Sequence, residues 1–596
     1  MRDPCPESSA ESEIHGLSWF GVRHEVVLEE VNLERDLSVV SQPFDVAIIG
    51  GGITGIQVAR EAAGRGLRTV LVDKGDFGAG TSSATSKLIH GGIRYLEQAQ
   101  FGVVRESLRE RRILSLGAPH LVEQRRFIMP GWRWSRPSTA LLGAGVGLYS
   151  LLGFDSNRSA PPSLRIPMPR WMSAKSVRAA IPWLYDDGLQ GAWVYHDTMN
   201  VFPERLLLAY AASAVADGAV LLNHVEATGF AMQGDTVHGV EVIDRLDGQR
   251  YRISASAVVN AAGPWADLVV SSLQAELGLS MVRSKGVHLL TTPVGGAAST
   301  TDTVFARGRS GRHVIVSPWQ GYSFIGPTDT EVAEEPDDLR VQSSDVELLL
   351  DTVNETLGSG VAPMVLDDVV DTTLGVRPLM VDEGKSSYTA SRRHEIYDHA
   401  KAGVKNLWSI GGGKWTTGRA TAVQMLDLLV ASPALGAAAP RRFDSRRAAV
   451  FGAFAWAQDA APFFAEVVSA RPEIPLSAET RVHLARLYGT DTARIMDLVA
   501  TDPSLAEPIS HRPGRFDIAA QAVVAVTDEG ARTLSDVLDR RLVVGTLGPV
   551  ELDEIERVGA LVGPLLGWDA DRIDTEVDSE HRRRSERRCT WGALSR

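Results

Sequence analysis

One stretch, residues 45–73, constrains the fold of this chain more than any other. It opens with the apolar run DVAII at 45–49, which has the β-branched content of a buried parallel strand. The glycine-rich sequence GGGITG at 50–55 follows, then an Ala- and Arg-rich helical segment, and then the apolar run TVLV at 69–72. This succession is a βαβ unit, which predicts a parallel sheet with helices on its faces.

Four residues of this unit have the spacing of a dinucleotide-binding fingerprint. Gly50 allows a tight turn from strand to helix, Gly52 lets a pyrophosphate approach the backbone, and Gly55 lets the helix pack closely on the strand. Asp73 ends the second strand and can accept hydrogen bonds from a ribose diol. Because the motif lies between a strand and a helix, we interpret it as a dinucleotide site rather than a structural turn. NAD and FAD both satisfy it.

The composition of the 596 residues is that of a globular protein with several domains. With 44% hydrophobic and 23% charged residues the chain cannot be wholly disordered, and a net charge of −13 argues against a general nucleic-acid binder. Cys5 and Cys589 form no metal-ligand pair, so a reduced, cytoplasmic setting without zinc or disulfides is expected. Residues 1–43 lack the apolar core of a signal peptide and are expected to form a flexible extension.

A loop rich in hydroxyl side chains follows the βαβ unit. The sequence TSSATSKLIHGGIRYL at 81–96 combines Ser and Thr with Lys, His, Gly-Gly and Arg, which makes poor core and good ligand-binding surface. A loop that merely caps helices is the alternative. Because ligands of such sheets bind beyond the carboxyl ends of the strands, we predict that this loop lines the dinucleotide. A helix is expected at 97–116.

Two later segments return to ligand-binding sequence. A buried strand runs into AAGPW at 261–265, and another runs into GGGKWTT at 411–417 before a helix. The second is not a P-loop, because Trp415 follows the lysine, but a glycine-rich helix start stabilises negative charge on a ligand. Alternating segments at 285–330 predict an antiparallel sheet that roofs the site.

Residues 131–154 combine Trp and Arg with a long apolar run. The run ALLGAGVGLYSLLGF at 140–154 is too short to span a bilayer, but a helix there suits the membrane interface with Trp and Arg at headgroup level. A helix inside the cap domain explains the same pattern, and the sequence leaves both interpretations open.

The last part of the chain reads as a small all-helical domain. Helices are expected at 480–487, 491–500 and 519–539, after an Ala/Pro-rich linker. The basic run RRRSERR at 582–588 is expected to be a solvated tail, with a weak contact to anionic lipid as the alternative.

Eight motifs then occur in a fixed order: GGGITG, TSSATSKLIHGGIRYLE, VVNAAGPWAD, SKGVHLL, GPTDTE, GVRPL, SRRHE and GGGKWTT. As a set they resemble the FAD-dependent (aerobic, quinone-linked) glycerol-3-phosphate dehydrogenases, which belong to the glutathione-reductase-like group that contains D-amino acid oxidase. The resemblance covers roughly residues 44–540. It implies an α/β fold with a Rossmann-like FAD-binding domain, an antiparallel-sheet substrate domain and an all-helical C-terminal domain.

The pattern and the resemblance together predict the division of the chain. The predicted units are a flexible N-terminal extension at 1–43, a discontinuous FAD-binding domain at 44–120, 190–265 and 365–432, a substrate or cap domain at 121–189 and 266–364, a helical C-terminal domain at 440–575 and a basic tail at 576–596.

The resemblance also implies a reaction. The C2 hydroxyl of sn-glycerol 3-phosphate loses its proton as hydride passes from C2 to FAD, which gives dihydroxyacetone phosphate, and the electrons pass on to a membrane quinone. The residues agree with FAD, because a flavin ring that is held throughout needs the polar contacts that the hydroxyl loop and GGGK supply. The alternatives are an FAD-dependent oxidoreductase of another hydroxy acid or amine, a glycerol-3-phosphate oxidase that uses oxygen, and a flavin-binding module without turnover.

The predicted substrate-binding and catalytic residues are cationic, as a phosphate dianion requires. By resemblance, Arg94, Arg377 and Arg392 match the substrate-site arginines of the family. Lys414 matches its active-site lysine, and Tyr95 adds a hydroxyl.

His90 is the predicted general base, since an imidazole ordinarily titrates near neutral pH. The alternatives are a histidine that only hydrogen-bonds the flavin, and a basic cluster that lets water take the proton. The predicted cofactor-binding residues are Gly50, Gly51, Gly52, Thr54, Gly55, Asp73, Lys74, Thr81, Ser82, Ser83, Ser86, Lys87, Leu88, His90, Gly91, Ala262, Gly263, Gly412, Gly413, Lys414 and Thr416. No metal is predicted.

Two segments depart from the pattern of the family. After the strand that ends at Asp197, TMNVFPER at 198–205 replaces an acidic-small-Arg patch, and Pro327 interrupts the usual G-[TS]-T-D. Both are expected on the substrate side, which leaves the exact substrate open.

The expected partners are sn-glycerol 3-phosphate, a membrane quinone and a second copy of the chain in a homodimer, with no nucleic acid. The expected location is cytoplasmic and peripheral on the inner face of the plasma membrane.

Overall fold

The structure is a computed structural model that describes residues 31–273, 277–296, 301–380, 393–436, 440–454 and 456–592. Two large sheets and a helical C-terminal domain make up these residues. The predicted fold class is confirmed.

The first sheet contains the predicted βαβ unit, and we call it the cofactor sheet. Its parallel strands follow the order Leu407–Gly411, Arg250–Asn260, Phe44–Ile49, Thr69–Val72 and Ala219–Leu222. Strand Glu395–Asp398 pairs at one edge, and the hairpin Val225–Gln233 and Thr236–Asp244 extends from Arg250–Asn260. The central strands are buried on both faces, which explains why their sequences are continuous apolar runs rather than alternating ones.

The second sheet is mostly antiparallel, and we call it the roof sheet. Its strands follow the order Thr330–Val332, Met281–Thr291, Tyr322–Gly326, His313–Trp319, Thr303–Arg307, Val122–Trp132, Leu189–Asn200 and Leu88–Ile89. Val369–Met380 pairs with Met281–Thr291, and Arg170–Ser173 pairs with Leu189–Asn200. The strands between 281 and 332 confirm the antiparallel sheet that the alternating sequence predicted.

Three segments that the sequence assigned to the FAD-binding domain lie in the roof sheet, the short strand Leu88–Ile89 among them. Leu189–Asn200 pairs along its length with Val122–Trp132, and Val369–Met380 pairs with Met281–Thr291. Apolar content marks a segment as a strand but does not identify its hydrogen-bonding partner, so the sequence could not assign these strands to a sheet. The other domain boundaries stay predictions.

Helices cover the cofactor sheet because each has one apolar stripe to bury. Ile53–Gly64 packs against Pro203–Ala216 and Gly418–Ala431. The other helices before residue 432 are Phe101–Gly117, Thr139–Leu152, Ala174–Ala180, Ala266–Ser271 and Ser343–Asn354. The helix expected at 97–116 begins at Phe101, since Ile93–Leu96 forms a separate 3-10 turn.

The C-terminal domain is helical, as predicted. Its helices are Ala460–Ser469, Ala478–Tyr488, Thr492–Thr501, Ala519–Thr527, Leu534–Asp536, Leu552–Val562 and Ala570–Gly592. The single helix expected at 519–539 is interrupted, because Gly530 has a φ of +66° in the left-handed region. The chain then forms Leu534–Asp536 and a π-helical turn, Val537–Arg541.

Residues 31–43 differ from the expected flexible extension. They contain the 3-10 helix Leu37–Ser41, and the side chain of Leu33 is 3% exposed. The N–H of Leu33 donates to the carbonyl of Asp528 at 2.8 Å, which ties this segment to the C-terminal domain. Apolar side chains at these positions are buried, and burial orders the segment. Residues 1–30 lie outside the described part of the chain.

The basic run at 582–588 also differs from the expected solvated tail. It lies in the helix Ala570–Gly592, where Arg583 pairs with Asp539 at 2.8 Å and Arg587 pairs with Asp371 at 2.7 Å. Asp539 and Asp371 lie far from the basic run in the sequence, so the run alone does not reveal these ion pairs.

Candidate active site

A cleft of about 1280 Å³ lies between the cofactor sheet and the roof sheet. The glycine-rich turns of the first sheet, the hydroxyl loop and six strands of the second line it. Pockets for one small ligand usually measure about 300–1,000 Å³. The cleft therefore has room for a dinucleotide and a small substrate side by side.

The first glycine-rich turn has the backbone geometry of a phosphate cradle. Gly50 has a φ of +108°, and a Cβ there would lie 2.7 Å from the carbonyl oxygen of Ala261. A Cβ on Gly55 would lie 1.8 Å from the carbonyl oxygen of Gly50, so only glycine allows the helix to approach the strand. Gly52 lines the cleft as the N-cap of the helix, and no side chain caps it. The first turn of the helix therefore offers the cleft its N–H groups other than that of Ile53, which Ser82 accepts.

Asp73 lies at the end of the second strand and lines the cleft. Its carboxylate accepts the N–H of Gly51 at 2.6 Å and the N–H of Gly75 at 2.8 Å. Burial raises the pKa of Asp73 to about 6, although these two backbone hydrogen bonds oppose the shift. Lys74, the next residue, pairs with Asp337 at 2.5 Å and lies beside the cleft.

The hydroxyl loop joins both sheets to the cleft. Ser82 accepts the N–H of Ile53 at 2.9 Å, and Thr81 donates to the carbonyl of Val376 at 2.7 Å. Further predicted cofactor residues that line the cleft are Thr54, Ser86, Leu88, Ala262 and Gly263. The loop thus lines the cleft, and its contact with the dinucleotide stays a prediction.

The second glycine-rich turn lies at the same edge of the cofactor sheet as the first, since both follow strands that run parallel to Arg250–Asn260. Gly412 and Gly413 have φ values of +70° and +91°, and a Cβ on Gly412 would lie 2.7 Å from the carbonyl oxygen of Arg393. Lys414 and Thr416 follow and line the cleft ahead of the helix Gly418–Ala431.

Cationic side chains line the part of the cleft nearest this turn. The ammonium of Lys414 lies 4.1 Å from the centre of the Tyr95 ring and donates to the hydroxyl of Ser107 at 2.9 Å. Arg94 lines the same wall, from the 3-10 turn Ile93–Leu96. The two contacts of Lys414 restrict its side chain, so its charge is fixed in place.

Arg377 approaches the cleft from the roof sheet. Its guanidinium donates to the hydroxyl of Ser284 at 3.0 Å and to the carbonyl of Thr328 at 2.9 Å, and lies 3.7 Å from Asp329. Arg94, Tyr95, Arg377 and Lys414, four of the five predicted substrate residues, therefore line one cleft. The fifth, Arg392, lies outside the described residues.

His90 lines the cleft beside these cations. Burial lowers the pKa of His90 to about 4, Asp197 opposes the shift, and Lys414 and Arg94 add to it. The imidazole is therefore neutral at neutral pH and able to accept a proton.

Five predicted cofactor residues do not line the cleft: Gly51, Gly55, Ser83, Lys87 and Gly91. Lys87 is the clearest difference, since it is 4% exposed and its ammonium lies 3.8 Å from the carboxylate of Glu204 and 4.1 Å from the centre of the Trp319 ring. The sequence does not show in which direction the side chain of a lysine in such a loop points.

The altered segment at 198–205 does not line the cleft, contrary to expectation. Asp197 pairs with Arg111 at 2.6 Å and accepts the hydroxyl of Tyr149 at 2.6 Å. Arg205 pairs with Glu529 at 2.6 Å, which joins the cofactor-sheet side to the C-terminal domain. This departure from the family pattern therefore affects the packing beneath the site. The second departure, Pro327, does line the cleft.

The sequence analysis missed the side chains of the roof that line the cleft. His313 stacks on Phe305 with ring centres 5.2 Å apart, and burial together with Arg94 and Arg307 lowers its pKa to about 4. The sequence does contain a signal, since His313 is a polar residue at the start of the otherwise largely apolar strand His313–Trp319.

His288, in the motif SKGVHLL, was also not assigned a role. It lies 2.8 Å from the hydroxyl of Ser86, and burial lowers its pKa to about 3.

The residues that line the cleft fit FAD. Two glycine turns with positive φ leave the backbone open to phosphate and ring, and Asp73 lies where the fingerprint places a ribose. The hydroxyl loop and Lys414 supply polar atoms between the two turns.

Comparison with known proteins agrees with this geometry. Residues 45–428 match the family model described as FAD dependent oxidoreductase, and residues 444–573 match the one described as the C-terminal domain of alpha-glycerophosphate oxidase.

Relatives and a solved structure match over most of their length. The chain is 34% identical over 547 residues to a glycerol-3-phosphate dehydrogenase of Mycobacterium leprae, which covers 90% of this chain and 87% of the relative. It is 31% identical over 562 residues to a glycerol-3-phosphate dehydrogenase of Synechocystis sp., which covers 90% and 96%. The crystal structure of the glycerol-3-phosphate dehydrogenase from Bacillus halodurans complexed with FAD superposes with a TM-score of 0.72 at 25% identity, covering 92% of this chain and 96% of that one. The chain therefore belongs to the FAD-dependent oxidoreductases, in the family of the glycerol-3-phosphate dehydrogenases.

Proposed function

We propose that this protein oxidises sn-glycerol 3-phosphate to dihydroxyacetone phosphate with FAD as its cofactor, and that a membrane quinone takes the electrons. One observation carries the proposal. The cleft that holds the dinucleotide-type glycine turns is also lined by Arg94, Arg377 and Lys414, a set of cations that suits a phosphate dianion.

The two kinds of cation have different roles. The planar guanidinium groups of Arg94 and Arg377 can each pair with two phosphate oxygens, whereas Lys414 acts as a point charge. Arg377 is held by Ser284 and Thr328, so its fork needs little ordering when the substrate binds. Tyr95 lies under the ammonium of Lys414 and offers a hydroxyl to the same ligand.

His90 is proposed to take the proton of the C2 hydroxyl. Its lowered pKa keeps the imidazole neutral before the substrate binds, and the negative charge of Asp197 stabilises the imidazolium that forms. FAD, when bound, accepts the hydride from C2. Arg94 and Lys414 also favour loss of the hydroxyl proton, because positive charge stabilises an alkoxide.

Anaerobic rapid mixing tests the substrate. Glycerol 3-phosphate is expected to bleach the visible absorbance of the oxidised flavin, whereas lactate and glycine, which represent the hydroxy-acid and amine alternatives, are not. Arg377→Gln is expected to lower kcat/KM for glycerol 3-phosphate by about 10²-fold, because a charged hydrogen bond contributes about 1.5–3 kcal/mol. Arg446→Gln, at an exposed site paired with Asp444, is the control and should leave kcat/KM unchanged. Bleaching by lactate or glycine but not by glycerol 3-phosphate would reject the proposal.

The electron acceptor requires contact with a membrane, and one surface suits that role. Large apolar side chains are exposed along the helix Thr139–Leu152 and beside it, namely Trp134, Leu141, Leu148, Leu151, Phe154, Met168 and Trp171. We call this set the apolar face. No described helix is both long and apolar enough to cross a bilayer, so contact would be at the interface.

The charge around the apolar face favours anionic lipid. Residues 131–178 contain seven Arg and Lys residues and a single acid, Asp155, in a chain of net charge −13. Asp155 is itself paired with Arg105 at 2.8 Å. Basic residues near an anionic bilayer contribute about 1 kcal/mol each, in addition to the buried apolar area.

Sedimentation with vesicles tests the surface. Leu151, which is 71% exposed, should not affect folding when changed to Glu, yet L151E is expected to abolish binding to vesicles that contain phosphatidylglycerol. The matched control is Leu565→Glu, at a site that is 46% exposed in the C-terminal domain, which should bind normally. Equal binding by L151E and the unchanged protein would contradict the membrane contact. The homodimer stays a prediction.

A further inference from the structure

Asp76 lies three residues after Asp73, in the loop that borders the adenosine end of the cleft. Its side chain is fully buried, yet it bears a charge that the predicted chemistry does not use. A buried carboxylate is costly unless cations and hydrogen-bond donors surround it. The charge of Asp76 therefore needs cationic donors around it.

Two consecutive arginines of the C-terminal domain supply those donors. Arg540 donates to Asp76 at 2.5 Å, and Arg541 donates to both of its carboxylate oxygens, one of them at 3.0 Å. Neighbouring residues on a regular α-helix point about 100° apart and do not reach one carboxylate. Here both lie in the π-helical turn Val537–Arg541, a distortion that often marks functional sites.

Residues just before this turn, Gly530 and Asp536, hold the segment beside the loop. Asn223 donates to Asp76 at 2.9 Å and to the carbonyl of Gly530 at 3.0 Å. The imidazole Nε2 of His224 lies 2.8 Å from the carboxylate of Asp536. The backbone N–H of His224 donates to the carbonyl of Gly75 at 2.8 Å. The C-terminal domain thus contacts the loop directly and through the turn that follows the strand Ala219–Leu222.

A metal ion does not explain this cluster. Asp76, His224 and Asp536 do bring ligand atoms within 4.8 Å of one another. The guanidinium of Arg540, however, donates to Asp76 and also lies 2.7 Å from Asp536, so it already occupies the place of a cation between the two carboxylates.

The loop connects this cluster to the cofactor site. Asp73 accepts the N–H of Gly75, and the N–H of Gly78 donates to the carbonyl of Gly51 in the first glycine turn at 3.0 Å. The loop residues Asp73, Lys74, Gly75, Gly78, Ala79 and Gly80 line the cleft. A shift of Asp76 therefore moves the ribose-binding carboxylate and the wall next to it.

We propose that Arg540 and Arg541 are positioning residues for FAD: through Asp76 the C-terminal domain holds the loop 73–80 in the conformation that binds the adenosine half of the cofactor. The C-terminal domain is then part of the cofactor site although none of its described residues lines the cleft. This inference concerns cofactor binding and does not depend on which alcohol is oxidised.

Binding of FAD and of ADP to the apo-protein tests the proposal, with flavin fluorescence as the readout for FAD and competition as the readout for ADP. Arg541→Gln and Asp76→Asn are each expected to raise both dissociation constants about tenfold or more, which corresponds to about 1.4 kcal/mol. Because ADP contains only the adenosine half, the two constants should rise by the same factor. KM for glycerol 3-phosphate, measured at saturating FAD, should not change.

Arg205→Gln is the matched control. Arg205 forms a buried pair with the carboxylate of Glu529 across the same two domains, at 2.6 and 2.9 Å, and within the described part of the chain it donates no hydrogen bond to the loop 73–80. Arg541 donates to the backbone carbonyl of Glu529 instead, at 2.7 Å, so the control removes a partner of the Glu529 side chain and leaves the contacts of Arg541 in place. It is expected to lower the melting temperature like R541Q while leaving both dissociation constants within about twofold.

The proposal is overturned if R541Q and D76N bind FAD and ADP as tightly as the unchanged protein does, or if R205Q weakens them equally. Should R541Q not fold, Arg540→Gln gives the same comparison, because Arg541 then keeps its contact with Asp76.

Discussion

The buried pair beneath His90 allows a quantitative test of the packing. Asp197 and Arg111 are 1% and 3% exposed, and their nearest atoms lie 2.6 Å apart. Asp197 also accepts the hydroxyl of Tyr149, which in turn accepts the N–H of Gly91 at 2.7 Å. Asp197→Asn keeps the shape and one acceptor oxygen but removes the charge, so the guanidinium of Arg111 stays buried without its counter-ion.

The expected cost follows from the burial of both partners. Breaking a buried pair by removing one charge costs about 3–5 kcal/mol, and since Asn keeps one acceptor we expect about 3 kcal/mol. That value corresponds to a change of about 150-fold in the unfolding equilibrium. The control is Asp302→Asn, beside the strand Thr303–Arg307 of the same sheet. The cation left behind, Arg126, is 36% exposed and water can solvate it, so removing the charge of Asp302 should cost below about 1 kcal/mol.

Urea unfolding of the FAD-saturated proteins measures both costs. Tryptophan and flavin fluorescence should give coincident transitions, and D197N should shift the midpoint at an unchanged slope. If D197N and D302N cost the same, or if D197N costs below about 1 kcal/mol, the argument that burial decides the value of these pairs is refuted.

Three further outcomes are expected. His90→Ala should lower the rate of flavin reduction about 10²–10⁴-fold with little loss of FAD, as stopped-flow absorbance can measure, whereas loss of FAD with normal residual chemistry would give His90 a structural role. Gly412→Ala should lower FAD content more than Gly413→Ala. Both substitutions are strained at positive φ, but only the Cβ at position 412 would meet the carbonyl oxygen of Arg393, at 2.7 Å. Equal flavin content in the two variants would contradict this. The free energy of unfolding should fall as pH drops from 6.5 towards 3. Burial lowers the pKa of His288 to about 3, so in this range the imidazole binds a proton in the unfolded chain but not in the folded one. Urea unfolding at several pH values measures this dependence, and His288→Gln should reduce it.

The local parts of the fold and site could be predicted from the sequence because their physical cause is local. Gly50 and Gly55 are required by the chain geometry of one turn, and Gly412 by another, so their spacing alone locates them. The hydroxyl loop was predicted to line the dinucleotide for a similar reason, since it follows the strand that ends at Asp73, and in the structure it lines the cleft.

The parts that failed depend on contacts between distant residues. The strand Leu189–Asn200 is apolar enough for either sheet, and only its pairing with Val122–Trp132 decides the matter. Lys87 lies in a ligand-type loop but reaches Glu204. Three arginines of the basic run at 582–588 pair with acids more than forty positions away, among them Asp539. Sequence shows the charge of such residues but not the partner that determines where they point.

Buried charged pairs connect the units that surround the cleft. Glu110 pairs with Arg419 at 2.6 Å, and Arg205 pairs with Glu529 at 2.6 Å, as a carboxylate and a guanidinium do again at Asp76. An apolar interface of the same size would stabilise the fold as well, but it tolerates sliding, whereas a hydrogen-bonded pair with one geometry penalises any shift by several kcal/mol. Catalytic geometry is lost by displacements of about 1 Å, so a site whose walls come from separate units needs contacts of that kind. The charge pairs therefore contribute to function by fixing the cofactor-sheet side of the cleft against the helix Phe101–Gly117 and the C-terminal domain, more than by adding to the free energy of unfolding.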